Sequence, residues 1–304
     1  MTFVRIDGVP HHVVVEGSGP VCVLSGGLGL AWFDWDEVAG LLAPHRTVIR
    51  FDRPGLGLSA PARVAPTLTG EADRLLRIID ACAPEPDRHG HHYGHHHGDW
   101  HPPRDRHHRP QQPATVVGHS LAGFHCEAFA RLHPSRTAAL VLVDSSVEEV
   151  EVNARPRPGP ALRTATASIA AAALSAVGAP RALGPPLRRA AWRAGRVTGG
   201  DPAPYDLVRR VYGTSRSVRA ILTEYASYPD QAAELASLRR EFPLSARTPV
   251  TVLAAGGGRR WLERQARLAA ALDARFTVAA PSGHLVMLDR PADVADAVLA
   301  AAAP

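Results

Sequence analysis

The chain contains no lysine. Its 34 basic side chains are all arginine, set against 29 carboxylates for a net charge of +5. They are scattered and not interleaved with stacking aromatics, so the basic balance does not point to a nucleic-acid partner. Cysteine is scarce too. Cys22, Cys82 and Cys126 are odd in number, widely spaced and without a C-x-x-C pair, which argues against both a disulfide framework and a zinc site. Met1–Pro10 has no charged stretch leading into an apolar run, so neither a secretory signal nor an anchor is read there and a cytoplasmic setting is expected. The apolar stretch Ala165–Val177 falls short of the roughly 20 residues of a membrane span and reads as a helix of an accessory domain, with no membrane partner expected. The glycine-rich Ser25–Gly29 lacks a following Lys-Ser/Thr and an acidic ribose contact. A nucleotide cradle is therefore not expected, nor any other cofactor.

What is present is a rhythm of short β-branched runs between helical patterns. Strands are predicted at Val13–Val15, Val21–Leu24, Thr47–Phe51, Ala114–Val117, Leu140–Val143, Pro249–Leu253 and Arg275–Val278, with helices at Gly70–Cys82, Ala122–Leu132, Arg259–Leu272 and Pro291–Ala302. Alternation of this kind builds a mostly parallel sheet covered by helices. It breaks twice. Residues 84–113 are rich in His, Gly, Pro and Arg and too poor in apolar groups to order themselves; residues 147–244 are Ala- and Arg-rich without a convincing strand. The expected organisation is a sheet domain of residues 1–146 and 245–304, a disordered insert at 84–113 and a helical cap at 147–244. Nine histidines lie in the insert. Connectivity puts them at the sheet edge away from the chemistry, so metal is expected there only loosely, if at all, and none at the reaction site.

Gly118-His119-Ser120-Leu121-Ala122-Gly123 directly follows a predicted strand and opens a predicted helix. In that context G-x-S-x-[GA] is a nucleophile elbow, exposing Ser120 at a sharp turn where small Gly118 and Ala122 let strand and helix approach. A serine hydroxyl needs a base. Of sixteen histidines, His284 stands after the last strand and before the final helix, positioned to take the Ser120 proton and return it to a leaving group. An acid must orient it. The run Ala254–Arg260 after the Pro249–Leu253 strand holds no carboxylate, whereas Asp144 ends Leu140–Val143 on the Ser120 side; Glu148 and Glu263 are the alternatives, and Asp144 could instead cap the turn at Ser145-Ser146. The backbone N–H groups of Leu121 and Leu28 are candidate oxyanion donors.

Phe51–Ser59, Val143–Ser146, Gly283–Pro291 and the Ser120 hexapeptide together resemble the α/β-hydrolase superfamily, from about Val13 to Leu299. The resemblance implies the α/β-hydrolase fold, a mostly parallel eight-stranded sheet with flanking helices and a helical cap. It implies a serine hydrolase acting on a carboxylic ester of a small apolar substrate through an acyl-enzyme on Ser120. Lactone, amide or imino-peptide cleavage would use the same groups, and a non-catalytic ligand-binding protein on this fold is the reading from another class.

Overall fold

The computed structural model describes residues 2–62, 64–83, 112–147 and 159–301. The eight described strands are β1 (Thr2–Ile6), β2 (Val9–Glu16), β3 (Val21–Ser25), β4 (Thr47–Phe51), β5 (Ala114–His119), β6 (Thr137–Val143), β7 (Val250–Ala255) and β8 (Arg275–Ala279). The described α-helices are α1 (Asp36–Leu42), α2 (Leu68–Cys82), α3 (Ala122–Leu132), α4 (Pro160–Ala176), α5 (Ala179–Gly195), α6 (Tyr205–Tyr212), α7 (Ser215–Glu241), α8 (Arg259–Ala271), α9 (Val286–Asp289) and α10 (Pro291–Ala301). The strands form one sheet in the order β1-β2-β4-β3-β5-β6-β7-β8, antiparallel at β1–β2 and β2–β4 and parallel elsewhere. β1, whose Val4 and Ile6 face the core between exposed residues, is the strand the sequence pattern did not reveal.

Apolar residues run continuously through the central strands because both faces are covered, and their period of two divides them between two cores. Val23, Val116, Leu140 and Leu142 pack with Leu75 and Ile79 of α2 and Phe124 and Phe129 of α3. Leu24, Val117, Val141 and Val143 pack on the opposite face with Trp35, Val38 and Leu42 around α1 and with Val294 and Val298 of α10. Thr67 begins α2 two residues earlier than expected, its side chain accepting the Gly70 N–H.

Parallel pairing brings the carboxyl ends of the central strands to one edge. Ser25 pairs with Gly118, His119 with Val143 and Val143 with Leu253. The loops after β3, β5, β6 and β7 therefore emerge side by side.

Helices α4–α7 lie between β6 and β7, within the segment expected to be helical. Two buried clusters fasten them to the sheet domain. Arg188 is held between Asp34 and Asp201, both at 2.8 Å, and packs over the Trp192 and Tyr212 rings. Arg53 pairs with Glu224 of α7 at 2.6 Å. No single described helix is long and apolar enough to cross a membrane; α4 and α5 reach that length only as a pair bent by 107°. The histidine-rich insert lies outside the described residues, apart from Gln112 and Pro113 at its end.

Candidate active site

Ser120 leaves β5 in the left-handed region, with φ 52°. That conformation is costly for a residue with a Cβ and persists only where surroundings enforce it. They do so here by hydrogen bonds: the Ser120 N–H donates to Val143 O at 3.2 Å, while its carbonyl accepts from Gly123 at 2.9 Å and Ser146 at 3.1 Å. Close approach of strand and helix depends on Gly118, where a Cβ would come within 2.9 Å of Cys126 Sγ and collide with the Ala122 carbonyl. A second tight contact is at Gly123, where a Cβ would collide with Ser145.

Asp144 follows β6, also with positive φ, at 41°. Its carboxylate is buried and has three donors: His284 Nδ1 on Oδ2 at 2.6 Å, and Ala255 N at 2.9 Å and Trp261 Nε1 at 2.7 Å on Oδ1. Burial pushes the Asp144 pKa up, but the hydrogen bond and charge of His284, with the Trp261 and Ala255 bonds, outweigh it and leave the carboxyl below its usual range. Asp144 holds the Nδ1 side of the His284 ring, so that in the neutral imidazole Nε2 is the nitrogen left to accept a proton. The His284 side chain is 46% exposed. The loop bearing His284 is pinned through Asp289, which accepts from Gly283 N and from Arg196 Nε, each at 2.8 Å.

The loop after β3 lies directly against the elbow. A Cβ on Gly27 would sit 2.8 Å from both Ser120 Cβ and His119 Nδ1, so only glycine fits. The carbonyls of Gly26 and Gly27 accept from the Arg53 guanidinium, and Glu224, the partner of Arg53, accepts the Gly29 N–H at 3.2 Å. This holds the loop on both sides of Leu28. Neither the Leu28 nor the Leu121 N–H finds an acceptor among the described residues. His119 is buried beneath this loop and its Nε2 donates to the His284 carbonyl at 2.8 Å. Burial, together with the charge of His284, pushes the His119 pKa down to about 3, so this ring stays neutral.

Of the residues singled out in the sequence, Ser120, Asp144, His284, Leu28 and Leu121 thus meet at one edge of the sheet. Glu263 does not: it faces outward in α8, paired with Arg259 at 2.8 Å. Glu148 lies outside the described residues. Two contributors, Trp261 and Glu224, were not identified from sequence. Trp261 stands in α8 with no motif to mark it, and the Arg53–Glu224 pair joins residues 171 positions apart. Asp52-Arg53-Pro54-Gly55 was the visible half of that pair.

The chain matches the model of the alpha/beta hydrolase family over residues 21–297. No curated protein matches it in sequence. Among solved structures it is similar to Cfl2 from Burkholderia cenocepacia, at 21% identity and TM-score 0.68 over 97% of this chain and 92% of that one. It is similar to the epoxide hydrolase CorEH at 19% identity and TM-score 0.70, covering 99% and 97%. A thermophilic esterase from Thermogutta terrifontis matches at 20% identity and TM-score 0.63, covering 98% and 95%. With the family model spanning nearly the whole chain, and an elbow serine beside a His–Asp pair at the carboxyl edge of its sheet, this protein belongs to the alpha/beta hydrolase family.

Proposed function

We propose that the protein is a serine hydrolase that cleaves carboxylic esters of small apolar substrates through an acyl-enzyme on Ser120. The observation that carries this reading is the strained Ser120 turn, hydrogen-bonded on both sides of the Asp144 that holds His284. His284 Nε2 takes the Ser120 proton as Oγ bonds to the substrate carbonyl carbon. Asp144 keeps the imidazole in the required tautomer and stabilises the imidazolium. The Leu28 and Leu121 N–H groups stabilise the oxyanion. Collapse of the intermediate breaks the C–O bond, and His284 gives its proton to the departing alcohol. Water, deprotonated by His284, then releases the acid and regenerates Ser120.

Helices α4–α7 serve as the cap over this edge, with Ile221 of α7 packed against Gly29 beside the Leu28 donor. The resemblance to an epoxide hydrolase does not change the assignment. A serine that opened an epoxide would end as an alkyl ether, which has no carbonyl for water to attack, whereas a serine ester has one. The Ser120 hydroxyl therefore suits acyl transfer.

A panel of p-nitrophenyl esters of increasing acyl length tests the reading. The expected result is turnover preceded by a burst of one p-nitrophenolate per site, fading as the acyl chain outgrows the cap. No turnover at any length counts against an esterase. Turnover of lactones or amides alone would move the assignment to those bonds.

A further inference from the structure

Gly27-Leu28-Gly29-Leu30 is a tight turn, closed by the Leu30 N–H on Gly27 O at 3.1 Å, with φ positive, at 69°, on Gly29 and not on Leu28. That is the type II form, which calls for glycine at its third position. Both backbone groups of that glycine end on side chains of the cap. Its N–H donates to Glu224 of α7 at 3.2 Å, and its carbonyl accepts from the Tyr212 hydroxyl at the end of α6 at 2.8 Å.

The direction of the Tyr212 bond is forced. Arg188 of α5 has five N–H donors and no acceptor, and every donor is used. Nε donates to Asp201 at 2.8 Å, Nη2 to Asp34 at 2.8 Å and Asp201 at 3.0 Å, and Nη1 to Asp34 at 3.3 Å and the Tyr212 oxygen at 2.6 Å. A phenol oxygen that accepts from a guanidinium must give its own proton elsewhere, and here it goes to Gly29 O. Burial, with the charge of Asp34, pushes the Tyr212 pKa well above its ordinary value against the pull of Arg188, so the hydroxyl keeps that proton.

From Tyr212 the bonds run head to tail toward the donor. Tyr212 donates to the carbonyl of the Gly29–Leu30 peptide, and the N–H of that peptide donates to Gly27 O, the carbonyl of the peptide whose N–H belongs to Leu28. Arg53 Nη2 reaches the same Gly27 carbonyl directly at 2.7 Å. Hydrogen bonds in a chain polarise one another by roughly 10–30% per bond, so a guanidinium at the head of this run makes the Leu28 N–H a stronger donor. Fastening the cap is a task that the ion pairs of Arg188 with Asp34 and Asp201 already perform. What Tyr212 adds is a bond to the donor loop.

We propose that Tyr212 is a positioning residue for the oxyanion: oriented by Arg188, it holds and polarises the Leu28 N–H through two peptides, so that the oxyanion hole is complete only with the cap in place. This role rests on acyl transfer at Ser120 with Leu28 as an oxyanion donor, and extends it to a side chain that acts through the backbone.

Full-length wild type, Tyr212→Phe and Arg188→Lys should be compared with p-nitrophenyl butyrate and with an alkyl trifluoromethyl ketone, which a reactive serine converts to a tetrahedral adduct bearing an oxyanion. Tyr212→Phe keeps the ring against Phe33, Trp192 and Arg188 and loses only the hydroxyl. It should lower kcat about tenfold, less than the roughly 10²–10³ lost with a whole donor. KM should stay within about twofold, and ketone affinity should fall by about the same factor as kcat. Arg188→Lys keeps a charge between Asp34 and Asp201 but not the planar fork that orients the phenol, and should lower kcat about threefold. The lysine variant decides alone if the phenylalanine variant does not fold. A merely structural bond would lower the thermal midpoint and leave kcat and ketone affinity of the folded variants at wild-type values; that result, or a rise in KM alone, overturns the proposal while the esterase reading stands. Wild-type protein that neither releases p-nitrophenolate nor binds the ketone removes the esterase reading, and the role of Tyr212 with it.

Discussion

Among the described residues two histidine–aspartate pairs stand at the carboxyl ends of strands, and only one lies beside the Ser120 turn. After β4, Asp52 Oδ2 accepts from His12 Nδ1 at 2.9 Å, and the carboxylate also takes the Trp32 and Leu58 N–H groups at 3.0 Å. After β6, Asp144 makes the same bond to His284 and likewise accepts two further N–H donors. The chemistry of the two acids is nearly identical. Their surroundings are not: His12 is fully buried, its Nε2 without a partner among the described residues and its ring edge-on to Trp32 at 4.4 Å, whereas His284 is half exposed beside the Ser120 elbow. A His–Asp pair is thus a way to satisfy a buried carboxylate, and in the proposed function it serves as a base only where the far ring nitrogen can reach a hydroxyl.

Substitutions that treat the two pairs alike should separate them. Ser120→Ala should lower kcat by about 10⁴ to 10⁶, while His12→Ala should leave kcat of the folded fraction within a few-fold and lower the thermal midpoint; steady-state kinetics with thermal unfolding reads both. Asp144→Asn should cost about 10³ to 10⁴ in kcat by upsetting the His284 tautomer. Asp52→Asn should instead cost about 1–3 kcal/mol of stability, through the mismatch with its buried donors. Equal losses of kcat from the two asparagine variants would break the distinction.

The Arg53–Glu224 pair sharpens it further, because it acts on the donor loop and not on the base. Glu224→Gln leaves a buried guanidinium without its counter-charge, at about 3–5 kcal/mol of stability. It should also lower kcat by less than the roughly 10²–10³ lost with an oxyanion donor, with KM changing little. Denaturant unfolding and the separation of kcat from KM test this. The smallest effect is expected from Trp261→Phe, which removes one of the three donors to Asp144. A carboxyl whose folded pKa is depressed contributes stability above its ordinary pKa of 3.8 and loses it as pH falls through the lower folded value. Removing Trp261 raises the folded value, so acid unfolding should begin at higher pH, with only a few-fold loss in kcat.

The sheet was legible in the sequence because its central strands are buried on both faces and read as unbroken apolar runs, as in Leu140–Val143. β1 was not, since a short edge strand with Thr2, Phe3 and Arg5 facing solvent carries little pattern. The strand-to-helix turn at Ser120 and the loop that carries His284 were legible from local context. Asp144 required elimination, and Trp261 and Glu224 could not be found at all. Their roles depend on contacts across 117 and 171 residues, and no local periodicity encodes such distances.

Whether Ser120 is an activated nucleophile is tested most simply by labelling with a fluorophosphonate, which phosphonylates such a serine. One adduct per chain is expected, located on Ser120 by mass spectrometry, absent in Ser120→Ala and strongly slowed in Asp144→Asn. Folded wild-type protein that stays unlabelled, or an adduct on another serine, would contradict it.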